Sequence, residues 1–377
     1  MKIIAIFYFN RWWASFIIIN SRVITGLSHI NVTRMIRRNS ISVLILILIL
    51  HGTKSFTLPS PLQKALISFE GLIAKQKVNK NLDPNIPKFK VDSDETFAQT
   101  SCSSGGSEDD GATATFSHAL WDSALKKHAT YVGEIDGIKT TLVDYVGMAT
   151  DEDVKRYTQA LARVDLEQLG ANSANELLAL YINAYNCLCI GHVTKYYLAD
   201  PKRRLPPTIT AVTKTMTDYK NTDIWDVPAG RIGRRTVTLN DIEHNILRSC
   251  WDDPRIHASI VCASASCPNL RTEAFVGAKI NAQLDDQAQT WVSDTNKGVR
   301  YNKNTQQLIV SRIFLWFKDD FESNGGPLAW AKQYSRGRDD DQQQQQLAWS
   351  KLSTDDYDKN VEYFPYNWKL NDRKWER

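Results

Sequence analysis

Apolar positions are unevenly spread along this chain, and their spacing changes character several times. Val43 to Leu50 is an unbroken apolar run, extended by Ile41, with Arg34, Arg37 and Arg38 just before it. A basic stretch followed by roughly ten apolar residues is the pattern of a secretory signal peptide. The run is too short to cross ~30 Å of hydrocarbon, which takes about 20 apolar residues. Met35 precedes Arg37 and Arg38, and a start there gives a leader of ordinary length, with residues 1–34 as an upstream extension. The expectation is a leader over 1–55, cleaved between Gly52 and Ser55, and a secretory-pathway or extracellular protein. An uncleaved signal anchor is the alternative, with the apolar patch from Ile3 to Ile19 as a second hydrophobic segment.

Leu62 to Lys75 has helical spacing. Gln76 to Asp94 is polar and holds Pro84 and Pro87, and Thr100 to Ala112 is rich in Ser, Gly and Asp. Such composition cannot bury enough apolar surface to order itself. Residues 56–114 therefore read as a helical segment and then a disordered linker, with a compact domain from about Thr115. Within it, Ser117 to Lys127 predicts a helix, Thr141 to Tyr145 a short strand, and Asp151 the start of a second helix carrying Tyr157, Leu161 and Val164. Glu176 to Val193 is apolar on all sides, which predicts a buried helix. Arg235 to Leu239 reads as a strand breaking into a helix to about Arg248, with Thr238 and Asp241 close to a capping box. Arg255 to Cys262 is mainly apolar with β-branched residues, and predicts a central strand buried on both faces. Ala263 to Ser266 suits a tight loop. Asn281 to Val292 predicts a helix, Gln307 to Arg312 a strand, and Ile313 to Phe321 is aromatic-rich. Asp339 to Gln346 marks a low-complexity insertion over 337–346. The fold class expected is α/β or α+β: one mixed domain over 115–371 with a buried central helix and a central strand.

Composition supports a globular chain, with 42% hydrophobic and 23% charged residues in 377. The formal charge of +4 comes from the leader: seven of the 46 basic residues lie in 1–55 with no acid, leaving 39 against 42 acidic, a net of −3. No nucleic-acid partner is expected from that balance. Membrane contact is expected only through an uncleaved leader, and other partners are unknown. There is no P-loop, GxGxxG or HExxH, and no cofactor is called for.

Three blocks, LLALYINAYNCLCIGHV (177–193), LNDIEHNILR (239–248) and DPRIHASIVCASASCPNLR (253–271), resemble the uncharacterised family of domain of unknown function 547. Weaker blocks are LWDSALKKH, QLDDQAQTWV, RIFLWFKDDF and FPYNWKLN, which extend the resemblance over about 115–371. In the last, Asn367 stands where the resemblance implies an acidic residue. The family implies little about activity.

The chemistry those blocks could carry is read from residue types. Glu176, Asn183 and Asn186 share one face of the buried helix, and buried amides need partners. Asn240, His244 and Arg248 share a face of the next, with Glu243 turned away. If the strand is regular, His257, Ser259 and Val261 share a face, and Cys262 points to the other side. A thiol activated by imidazole, with an amide or carboxylate orienting the ring, is the logic of thiol hydrolases. That assigns Cys267 as nucleophile, His257 or His244 as base and Asn183 or Glu243 as orienter, in a hydrolase or acyl transferase acting on a peptide or amide. Asn186, Arg248 and Arg271 are binding candidates. The rival reading is a non-catalytic binding or scaffolding domain with a structural polar network and a Cys262–Cys267 disulfide. Zinc held by His244, His257, Cys262 and Cys267 is a further alternative, as is a carbohydrate or peptide cleft walled by Trp316, Phe317 and Phe321.

Overall fold

The computed structural model describes residues 4–7, 16–19, 115–220, 222–302, 304–305, 307–335, 357 and 361–376. The apolar run 41–50, the linker 56–114 and the insertion 337–346 lie outside the described residues. The chain divides into two units, Met1–Ile73 and Ala74–Arg377. In the first, β1 (Ile4–Phe7) and β2 (Phe16–Ile19) form an antiparallel pair with Ile4 opposite Ile19.

The second unit is built on one helix. Four short helices lead to it: α1 (Ala119–His128), α2 (Tyr145–Thr150), α3 (Glu152–Leu161) and α4 (Leu166–Asn172). Between α1 and α2 runs a hairpin of β3 (Tyr131–Ile135) and β4 (Ile138–Leu142). Asp144, Asp151 and Asp165 cap α2, α3 and α4 by accepting first-turn amide hydrogens, as N-terminal carboxylates do. The central helix, α5 (Ala174–Ala199), is capped by Ser173 and is buried without a break from Leu177 to Ile190. It is long and apolar enough to span a bilayer, but protein covers it. The predicted all-round apolar helix is thus the core itself, and α2, α3 and α4 pack on it.

After α5 come the hairpin β5 (Pro228–Ile232) and β6 (Arg235–Thr238), and then a π-helical stretch, Asp241–Leu247, running into an α-turn at Arg248–Cys250. The predicted capping box forms in full. Thr238 Oγ1 accepts from the Asp241 amide at 3.0 Å, and Asp241 Oδ2 accepts from the Thr238 amide at 2.9 Å. Next are α6 (Ile256–Ser259) and α7 (Ile280–Val292). A small sheet orders β7 (Val299–Asn302), β8 (Gln307–Val310) and β9 (Val361–Tyr363), with β9 parallel to β8. Between β8 and β9 lie α8 (Ile313–Trp316), a 3-10 turn Lys318–Asn324 and α9 (Gly326–Tyr334). Trp291, Phe314, Phe321 and Trp330 fill a second core here. Strands paired in small separate ribbons around packed helices make this an α+β domain.

One expected element is absent. Residues 255–262 are not a central strand but the short helix α6 followed by unpaired extended chain. Asp253 Oδ1 takes the Arg255 amide, Pro254 follows it, and Ser259 Oγ returns to the Arg255 carbonyl, all favouring a turn of helix. The extended Val261 amide then donates to Asn186 Oδ1 at 2.8 Å, so a side chain replaces a strand partner. The predicted strand at 141–145 starts earlier, as β4, and Tyr145 opens α2.

Candidate functional site

Two polar clusters meet on the π-helical stretch. The first gathers around Asp320, in the 3-10 turn after α8. Arg248 donates Nε and Nη2 to its two oxygens, each at 2.6 Å, and His257 Nε2 lies 2.7 Å from Oδ2. Arg248 Nη1 is 2.9 Å from His244 Nδ1, one turn back. Phe317 stacks on His257 with centroids 4.3 Å apart, and the Arg248 guanidinium sits 4.8 Å from the same ring. Burial would raise the Asp320 carboxyl, but the bonds from His257 and Arg248 outweigh it and hold Asp320 well below the usual carboxylate range. Burial pushes the His244 imidazole down.

The second cluster lies around Tyr366, in the C-terminal strap. That strap threads between loops: Ala265 N bonds Lys369 O, Asn371 N bonds Ala263 O, and Leu370 N bonds Pro207 O. Asn367 accepts from Lys369 N and donates to Asp136. Cys262 and Cys267 form a disulfide with Cα atoms 6.3 Å apart. The Tyr366 hydroxyl is 3.3 Å from Cys262 Sγ and 3.2 Å from Cys267 Sγ, and it accepts from Ser264 Oγ at 3.1 Å. Glu243 faces this side, accepting from the Tyr185 hydroxyl at 3.1 Å. Burial, and then the Glu243 charge, raise Tyr185 above its ordinary value. Half-buried aromatics extend from Tyr366: Trp368 at 4.5 Å, Trp316 at 4.8 Å, and Trp225 at 6.4 Å from Trp368.

These placements sort the candidates. His257 stands on a helical turn rather than on a strand face, and its ring nitrogen goes to Asp320, not to a sulfur. His244 goes to Arg248, and Glu243 to Tyr185. Asn183 clamps Phe275, donating to its carbonyl at 2.7 Å and accepting its amide at 3.0 Å. Asn186 does the same across Ser259 and Val261. Arg271 pairs with Glu273 and Asp286. Cys267 has Cys262 and Tyr366 as neighbours and no imidazole partner among the described residues. His244, His257, Cys262 and Cys267 do not form a metal-holding group among the described residues. Of the aromatic cleft candidates, Phe321 is buried in the second core, Phe317 covers His257, and Trp316 alone joins the half-buried band.

Asp320, Tyr185 and Tyr366 were not singled out from sequence. Asp320 and Tyr366 lie inside the RIFLWFKDDF and FPYNWKLN blocks, so the signal was the block and not the pairing.

No curated protein matches the chain, and no solved structure does. The model of the family described as Protein of unknown function, DUF547 matches residues 169–292. That stretch holds the three strong blocks and QLDDQAQTWV, while LWDSALKKH, RIFLWFKDDF and FPYNWKLN lie outside it. The chain is thus similar to the DUF547 family over residues 169–292, from α4 to the end of α7, about a third of its length.

Proposed function

We propose that this is a secretory-pathway binding domain, not a thiol hydrolase or acyl transferase. One observation carries the reading: Cys267 is bonded to Cys262, while His257 and His244 are engaged by Asp320 and Arg248. The hydrolase logic needs sulfur and imidazole in contact, because the ring must take the thiol proton. The amides support the same reading. Asn183 and Asn186 commit their polar atoms to buried backbone groups of Phe275, Ser259 and Val261. The face offered to a partner is the half-buried band of Trp225, Trp316, Tyr366 and Trp368, since aromatics combine apolar area with low flexibility. Entry into the secretory pathway rests on the basic-then-apolar order of Arg34 to Leu50.

The test is a turnover screen of the full chain, before and after reduction, against amide and ester substrates. No turnover above the Cys267→Ala variant is expected. Turnover abolished by both Cys267→Ala and His257→Ala overturns the reading.

A further inference from the structure

We propose that the Cys262–Cys267 disulfide is an exchangeable redox site that captures a dithiol-bearing polypeptide laid over the aromatic band. The inference rests on the binding reading above and names its partner.

The two sulfurs are unequal. Cys262 is half-buried, whereas Cys267 is 2% exposed. An incoming thiolate therefore reaches Cys262 first. Cys267 is then the leaving sulfur: the Tyr366 hydroxyl is within reach of both sulfurs and Ser264 Oγ lies 3.4 Å from Cys262 Sγ, but the backbone amide is aimed at Cys267. The Cys262 amide lies 3.0 Å from Cys267 Sγ, and the Tyr366 hydroxyl 3.2 Å from it. Ser264 Oγ donates to the Tyr366 oxygen, which leaves the tyrosine proton free to point at sulfur. Hydrogen bonds to a thiolate favour the charged form and so the leaving group.

The loop between the cysteines is held in place independently of the S–S bond. Ala263 sits at φ +61°, a conformation a non-glycine residue keeps only when its surroundings impose it. The surroundings are the strap: Asn371 N bonds Ala263 O, Lys369 O takes Ala265 N, and Asn367 O takes Ser266 N. Opening the disulfide thus leaves the donors where they are. Trp316 and Trp368 flank Tyr366 and provide apolar contact for the chain around the partner's thiols.

The exchange balances. A partner thiolate attacks Cys262 Sγ, the S–S bond breaks, and its electron pair leaves on Cys267, giving a mixed disulfide. The partner's second thiolate attacks its own sulfur in that bond and expels the Cys262 thiolate. The partner departs as a disulfide, and two electrons reside on the cysteine pair, which takes up two protons. Cys187, Cys189 and Cys250 do not compete, being buried, with burial pushing Cys187 up to about 12 and Cys250 up to about 11.

The test uses the full chain in a Cys102→Ser background and a synthetic peptide with two cysteines. Brief reduction by the peptide followed by maleimide labelling and mass mapping is expected to mark Cys262 and Cys267 only. Cys267→Ser, with Cys262 free, is expected to form a mixed disulfide with the oxidised peptide at least tenfold faster than Cys262→Ser. Tyr366→Phe, which keeps the ring packing, slows reduction about tenfold by loss of one bond to the leaving sulfur. A pair that resists the peptide until the chain is unfolded in urea overturns the proposal, as do equal capture rates for the two serine variants. Failure of exchange without hydrolytic turnover removes this inference alone; turnover removes the binding reading beneath it.

Discussion

His257 Nε2 and Asp320 Oδ2, 63 residues apart, are joined at 2.7 Å, and Arg248 closes both carboxylate oxygens from the other side. The arrangement is a charge-assisted clamp between α6, the π-helical stretch and the turn after α8. Its Arg248 side chain is only 6% exposed. Truncation of one partner leaves the other charge buried and uncompensated. Arg248→Ala is expected to cost roughly 3–5 kcal/mol, read by urea denaturation.

The same clamp sets an acid limit. The Asp320 carboxyl is lower in the folded chain than in the unfolded one, so its contribution is complete above the ordinary carboxylate range and is lost as pH falls towards the depressed value. Wild-type stability is expected to drop below about pH 4, and Asp320→Asn to drop less steeply over the same window, by thermal melts at stepped pH.

Lys297 acts in the same direction at the alkaline end. It is 2% exposed and held by neutral groups, Thr140 Oγ1 at 2.9 Å and Asn269 Oδ1 at 2.8 Å. Burial lowers its ammonium to about 7. Between about pH 7 and 10 the unfolded chain therefore holds a proton that the folded chain has released, and stability rises with pH. Urea midpoints at pH 7, 8 and 9 are expected to climb in wild type, with that climb reduced in Lys297→Met. Buried Tyr145 and Tyr157, raised by burial, turn the slope downward at still higher pH.

Asn183 holds both polar groups of Phe275 from the middle of α5. Asn183→Leu strands a buried amide and a buried carbonyl, at about 1–3 kcal/mol each. A loss of several kcal/mol is expected by denaturation, with a matching loss in Asn186→Leu, which strands Ser259 O and Val261 N.

Gly298 approaches the Trp291 carbonyl so closely that a Cβ would overlap it. The obstacle is backbone, which cannot swing aside. Gly298→Ala is expected to destabilise by about 1–3 kcal/mol or more, as overpacking does, with the second core loosening first in hydrogen exchange.

What the sequence determined by itself is what local spacing encodes. The circumferential apolarity of 176–193 specifies a helix with no face left for water, and α5 is that helix. Thr238 and Asp241, three residues apart, specify a capping box that forms with both bonds. The DUF547 blocks were legible as ordered strings, and the family model covers the strong ones. The strand expected at 255–262 failed because apolar β-branched residues fit a buried turn of helix as well as a buried strand. Asn186, from another element, supplied the hydrogen bond that a strand neighbour would have given. The pairings of chemical interest were decided only in three dimensions: His257 with Asp320, Tyr366 with two sulfurs about a hundred residues earlier, and Cys267 with Cys262 rather than with an imidazole. Residue type sets what a side chain can bond to, but which partner it meets depends on how distant segments pack, and no periodicity along the chain carries that information.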